Sequence, residues 1–194
     1  MPTMSPPPVA RLPYVPEEPE DPALRATFER LRQRWPGAPV LHLYRLLGWA
    51  PGLVGPWQEF AQALRFRVAA PAALRELMVV RSGQLLGADY EWQHHWVAAL
   101  DAGITEGQLQ ALPTWRDSPL FDARERVVLA LADDTALGTG ASEQTVNTLR
   151  SLFPTQEVAE LIVIAGFYAG VGRIVNSFGV PLEPGFESML PREA

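Results

Sequence analysis

Tyr90-Glu91-Trp92-Gln93-His94-His95 places two of the chain's three histidines beside a carboxylate. Glu91 and His95 are four apart, so on a helix they lie one above the other on one face, close enough to hydrogen-bond. A carboxylate that holds an imidazole fixes its tautomer and favours its charged form, a property useful for moving protons near neutral pH. The competing reading is a solvated i, i+4 ion pair with no role beyond helix stability. His94 faces a different direction from His95 and reads as a surface or interface residue. Glu91 and His94 also spell the Glu-x-x-His of di-iron bundles, but that site needs a second copy and two further glutamates. Only one copy exists, so neither a metal centre nor another cofactor is expected. Trp92 and Trp96, one turn apart, read as core packing or as walls of an apolar pocket, and Tyr90, Trp92, His94 and Arg81 are the candidate substrate contacts. Arg81 lies in an apolar stripe and needs a carboxylate partner, for which Glu76 or Glu91 is the candidate. His42, between Leu41 and Leu43, is expected to be a satisfied core or interface residue.

The elements that must position these side chains are all helical. Residues 1–20 are rich in proline and acid and predict an extended arm, either free or docked through Leu12, Tyr14 and Val15. Residues 21–194 predict a single all-α domain of about eight helices. Asp21-Pro22 opens the first helix and Pro36-Gly37 ends it, and short and long helices follow near residues 40–47 and 51–67. Pro71 opens a helix whose Leu74, Leu77, Met78, Arg81 and Leu85 recur at helical spacing. Asp89 is expected to cap the helix of Glu91 and His95, with Gly103 as its left-handed stop. Thr105 to Gln108 fits a capping box, Ser118-Pro119 is expected to start another helix, Ser142 the next, and Thr155 a last long one. Gly103-Ile104-Thr105-Glu106 and Gly140-Ala141-Ser142-Glu143 hint at one helical unit used twice. In the last helix Gly166 and Gly170, one turn apart, predict close approach of another backbone. That helix is apolar on too much of its circumference for one partner face, which predicts burial within the subunit or sharing with another.

Composition removes several chemistries. There is no cysteine, so disulfides, thiolate ligands and cysteine nucleophiles are excluded. All 16 basic side chains are arginine, which excludes lysine Schiff bases and the phosphate-loop lysine. A net charge of -6 argues against nucleic-acid binding. The apolar run Leu161–Gly172 is too short to span a bilayer and the N-terminus does not read as a signal peptide, so the expected location is the cytoplasm, with no membrane partner.

The stretches Leu74-Arg75-Glu76-Leu77-Met78-Val79-Val80-Arg81, Tyr90 to His95 and Ala102-Gly103-Ile104-Thr105 resemble the carboxymuconolactone decarboxylase and alkylhydroperoxidase D superfamily. The tail from Phe167-Tyr168 through Arg173, Asn176 and Gly179-Val180-Pro181-Leu182-Glu183 is similar to the ends of long members of it. The resemblance implies an alkylhydroperoxidase D-like helical bundle packed as a homo-oligomer, whether dimer, trimer or hexamer. In the peroxidase branch the helix bears two cysteines three apart, a histidine four residues after the second, and a glutamate on the preceding helix. Carried over, the histidine is His95, the cysteine slots are Glu91 and Ala88, and the glutamate is Glu76. A carboxylate and a methyl group cannot run a disulfide cycle, so the peroxidase-related reading loses its chemistry here. The decarboxylase branch is similar in keeping a glutamate four residues before the histidine. The expected function is therefore proton transfer on a small organic acid, lactone or enolisable carbonyl, with Glu76, Glu91 and His95 as the site. The alternative is a helical oligomer that kept the fold and lost the catalysis.

Overall fold

The computed structural model describes residues 9–34, 37 and 39–184. Among these are nine α-helices and one 3-10 turn: α1 Pro22–Arg34, α2 His42–Leu47, α3 Pro51–Phe66, α4 Ala72–Leu85, α5 Asp89–Asp101, α6 Glu106–Ala111, the 3-10 turn Leu112–Thr114, α7 Ala123–Leu137, α8 Glu143–Leu152 and α9 Thr155–Phe178. The fold is all-α, with no strand among the described residues. Pro6 to Pro8 of the arm and the Pro36 stop lie outside those residues.

Short polar side chains start several helices by accepting their unpaired amides. Asp21 Oδ1 accepts from Leu24 N at 2.7 Å, the Thr105 and Gln108 box opens α6, and Ser142 opens α8. Two expected starts move. α7 begins at Ala123, not at Ser118-Pro119, because Asp122 and Glu125 satisfy each other's amides in a full capping box. Arg126 holds the preceding loop away from helix by donating to the carbonyls of Phe121, Arg116 and Ser118. Asp89 does not cap α5 either: Ala88 is the N-cap residue, and Asp89 Oδ1 instead accepts from Trp92 Nε1 at 3.0 Å.

The described residues gather into two compact units, one of those up to residue 63 together with those from 177 on, the other of residues 64–176. In the first, Val15, Leu24, Phe28, Leu31, Val40, Tyr44 and Val54 form an apolar cluster. The arm docks on it through its backbone. Val15 exchanges bonds with Arg45 (N to O at 3.2 Å, and Arg45 Nε to Val15 O at 3.0 Å), and Trp49 Nε1 donates to Pro13 O. Val15 is buried and Leu12 is not. His42 is held by Pro181 O at its Nδ1, 2.8 Å away, and its ring stacks on Tyr14.

The second unit holds the candidate site. α4 packs against both α5 and α7, and for that reason nine of its residues are buried, charged ones included. At its crossing with α5, a Cβ on Gly83 would lie 2.8 Å from Trp92 Cβ and 3.0 Å from Trp92 N, so only glycine allows the approach. Within the chain nothing lies within 4 Å of a Cβ built on Gly166 or Gly170 of α9, so neither meets a backbone of its own subunit, whereas one on Gly172 would meet Leu86 Cδ1 at 2.7 Å. α9 is also longer than its unbroken apolar run. By length and composition it could cross a membrane, with an 18-residue window of mean hydropathy 1.8, but half of that window is buried, as in a core helix.

Candidate active site: a histidine between two carboxylates

The start of α4 is fixed before any site chemistry is considered. Glu160 of α9 accepts from the amides of Ala69 and Ala70, both at 2.8 Å. Arg75 turns back to donate to Ala70 O at 2.9 Å, Leu64 O at 2.9 Å and Arg65 O at 3.0 Å. It thus caps the last turn of α3 with a planar fork that a lysine could not reproduce. Its neighbour Glu76 is left pointing at α5.

There His95 sits between two buried carboxylates. Its Nδ1 is 2.6 Å from Glu76 Oε2 and its Nε2 is 3.2 Å from Glu91 Oε1, with all three residues at most 8% exposed. An imidazole whose two nitrogens both face carboxylate oxygens is best satisfied when both carry protons. Burial alone would push the His95 pKa down. The charge and hydrogen bond of Glu76, reinforced by Glu91, overcome it and raise the pKa from 6.5 to about 9. Glu76 moves the other way: burial would raise its carboxyl, but the His95 charge and hydrogen bond, with Arg65 and Arg75, hold it below the ordinary range. At neutral pH the cluster therefore holds an imidazolium against the Glu76 carboxylate, with the Glu91 side chain on its other nitrogen. The sequence reading made Glu91 the residue that orients His95; the shorter contact is to Glu76.

The remaining candidates are placed differently. Arg81 reaches neither Glu76 nor Glu91. Five residues from Glu76 on one helix, it points about 140° away, towards α7. There Nε donates to Asp133 Oδ1 at 2.7 Å and NH1 to Leu112 O at 3.2 Å. Asp133 Oδ2 also accepts from Trp115 Nε1 and Arg116, so Arg81 belongs to a buried structural network. The helix pattern showed that Arg81 needed a carboxylate, but nothing local pointed to one 52 residues away. Tyr90 is buried with its ring 4.3 Å from His94, whose Nδ1 is 2.7 Å from Tyr90 O. Trp92 fills the space left by Gly83 and meets Trp96 edge to face at 5.8 Å. No three His, Cys, Asp or Glu side chains among the described residues converge as a metal site would require. A concavity of about 490 Å³ lies elsewhere, lined by residues such as Trp115, Arg116, Asp134, Thr145 and Leu152, and includes none of the three site residues. The Asp134 carboxylate there is already engaged by Ser142 N and Thr145 Oγ1. The sequence reading missed Tyr168 of α9, whose ring packs edge to face on His95 with centroids 4.9 Å apart.

Residues 51–134, which hold all of α4 and α5, match the sequence model of the Carboxymuconolactone decarboxylase family. Solved structures agree on the fold. An uncharacterised peroxidase-related protein from Silicibacter superposes with a TM-score of 0.74 at 18% identity, over 95% of this chain and 97% of that one. Residues 51–134 thus carry the pattern of that family, on an all-α fold that these solved structures share. A protein of unknown function from Agrobacterium tumefaciens, described as a candidate antioxidant-defence protein AhpD, matches with a TM-score of 0.63 at 21% identity, over 76% of this chain and 97% of that one. A variant of the debrominase Bmp8, bound to 2,3,4-tribromopyrrole, matches with a TM-score of 0.66 at 19% identity, over 86% of this chain and 89% of that one. No curated protein matches the chain.

Proposed function

We propose that the chain is a carboxymuconolactone decarboxylase-like enzyme in which His95, charged at neutral pH, donates a proton to carbon. Its substrate is a small organic acid, lactone or enolisable carbonyl. The observation that carries this reading is the buried imidazole with a carboxylate on each nitrogen. Such a group is a general acid and not a base at neutral pH, because its proton is held until about pH 9. In a decarboxylation the carbon–carbon bond to the carboxylate breaks and carbon dioxide leaves. The electron pair stays on the substrate as an enolate, and that carbon takes the proton from His95. Nε2 is the exit, since its 3.2 Å contact with Glu91 is given up at less cost than the 2.6 Å bond to Glu76. The site then recovers its proton from water. The enzyme works as a homo-oligomer in the cytoplasm, without a cofactor.

A thiol peroxidase role has no support, because Glu91 and Ala88 stand in the cysteine slots and the chain has no sulfur nucleophile. The burial of all three site residues favours one competing reading, a helical oligomer in which the cluster only holds α4 to α5. Incubation in deuterated water with carboxymuconolactone, acetoacetate and a simple butenolide separates the two. Carbon dioxide release, or deuterium uptake at carbon, that is lost in His95→Gln supports the enzyme. No turnover of any of the three above buffer by folded wild type overturns it.

A further inference from the structure

Both nitrogens of His95 are useful only while the ring plane stays in line with both carboxylates, and the carboxylates by themselves do not ensure this. The shorter bond to Glu76 would be kept if the ring tilted about that contact, and the 3.2 Å approach to Glu91 would then open. The tilt is limited by what packs on the ring itself. The Tyr168 ring packs there, nearly perpendicular to the imidazole, with an interplanar angle of 80° and a centroid distance of 4.9 Å. Tyr168 is itself 7% exposed and rides on α9, the helix whose Glu160 sets the start of α4 and whose Asn176 donates to Leu86 O at the α4–α5 corner. Its position is therefore tied to both helices that supply the carboxylates.

We propose that Tyr168 is a positioning residue for proton transfer: its ring holds the imidazole plane so that Glu76 and Glu91 are engaged together. This rests on the reading of His95 as the proton donor. The titratable groups facing His95 are Glu76 from α4, Glu91 from its own helix and Tyr168 from α9, while Arg65 and Arg75 act on it through Glu76.

The test is an NMR titration of the His95 ring in wild type, Tyr168→Phe and Tyr168→Leu, each checked for fold by circular dichroism. The expected result is that Tyr168→Phe titrates with wild type, whereas Tyr168→Leu falls by about half a pH unit or more, because the Glu91 contact opens and no longer favours the charged ring. In Tyr168→Leu the Nε2 proton should also exchange faster than the Nδ1 proton, because the Glu91 contact is the one that opens. A Tyr168→Leu titration equal to wild type overturns the proposal, and so does a Tyr168→Phe that falls as far as Tyr168→Leu, which would move the role from the ring to the hydroxyl. The reading of His95 as donor fails separately, if His95 in wild type titrates near 6.5.

Discussion

Protonated His95 should make this protein more stable at mildly acidic than at alkaline pH, and His95→Gln should remove that difference. The folded-state pKa, about 9, is above the 6.5 of an ordinary histidine. The folded protein therefore binds more protons than the unfolded chain between those values, and stability falls as pH rises. The contribution is fully present below pH 6.5 and is lost as pH rises through 9. About two and a half units at ~1.4 kcal/mol each is ~3 kcal/mol, and full burial leaves no solvent screening to reduce it. Tyr14, raised by burial and by Glu183, loses its contribution only above pH 10 and does so equally in both proteins. Urea unfolding at pH 6, 7.5 and 9.5 should show wild type losing ~3 kcal/mol relative to His95→Gln across that range. Parallel stability curves for the two proteins would refute the buried imidazolium.

Glu76→Gln should lower the His95 pKa more than Glu91→Gln does, since the Glu76 contact is 2.6 Å against 3.2 Å; NMR titration giving the reverse order would break that ranking. Gly83→Ala gains helix propensity but drives a Cβ into the Trp92 backbone, for a net loss of about 1–2 kcal/mol visible as a lower melting temperature. Light scattering at micromolar concentration should show an oligomer, because Val163, Gly166 and much of the apolar surface of α9 are left uncovered in one chain; a monomer alone would defeat this.

What the sequence disclosed is set by how local each interaction is. Glu91 and His95 share a helix, so their spacing alone put them on one face. The all-α architecture followed from caps and periodicity, with the Thr105 box at its predicted place. Glu76 reached the candidate list only through a family likeness, because a contact between helices leaves no trace in spacing. The partner of Arg81 and the packing of Tyr168 on His95 were invisible for the same reason. In α9 the close approach within the chain falls at Gly172, not at Gly166 or Gly170, since spacing cannot say which side of an apolar helix has a neighbour.

The α4–α5 corner carries a consequence for how the site opens. Asn176 donates to Leu86 O at 2.8 Å, Gly172 lies against Leu86 and Ala88, and Glu160 holds the amides before α4. α9 thus grips both ends of α4, from which Glu76 projects, and the corner that leads into the helix of Glu91. Slowly exchanging amides in α4, α5 and the middle of α9 should consequently share one opening free energy, and exchange as a single cooperative block while the first turns of α6 and α8 exchange early. The proton-handling cluster would then be lost only together with the core that encloses it, and not by fraying of one helix.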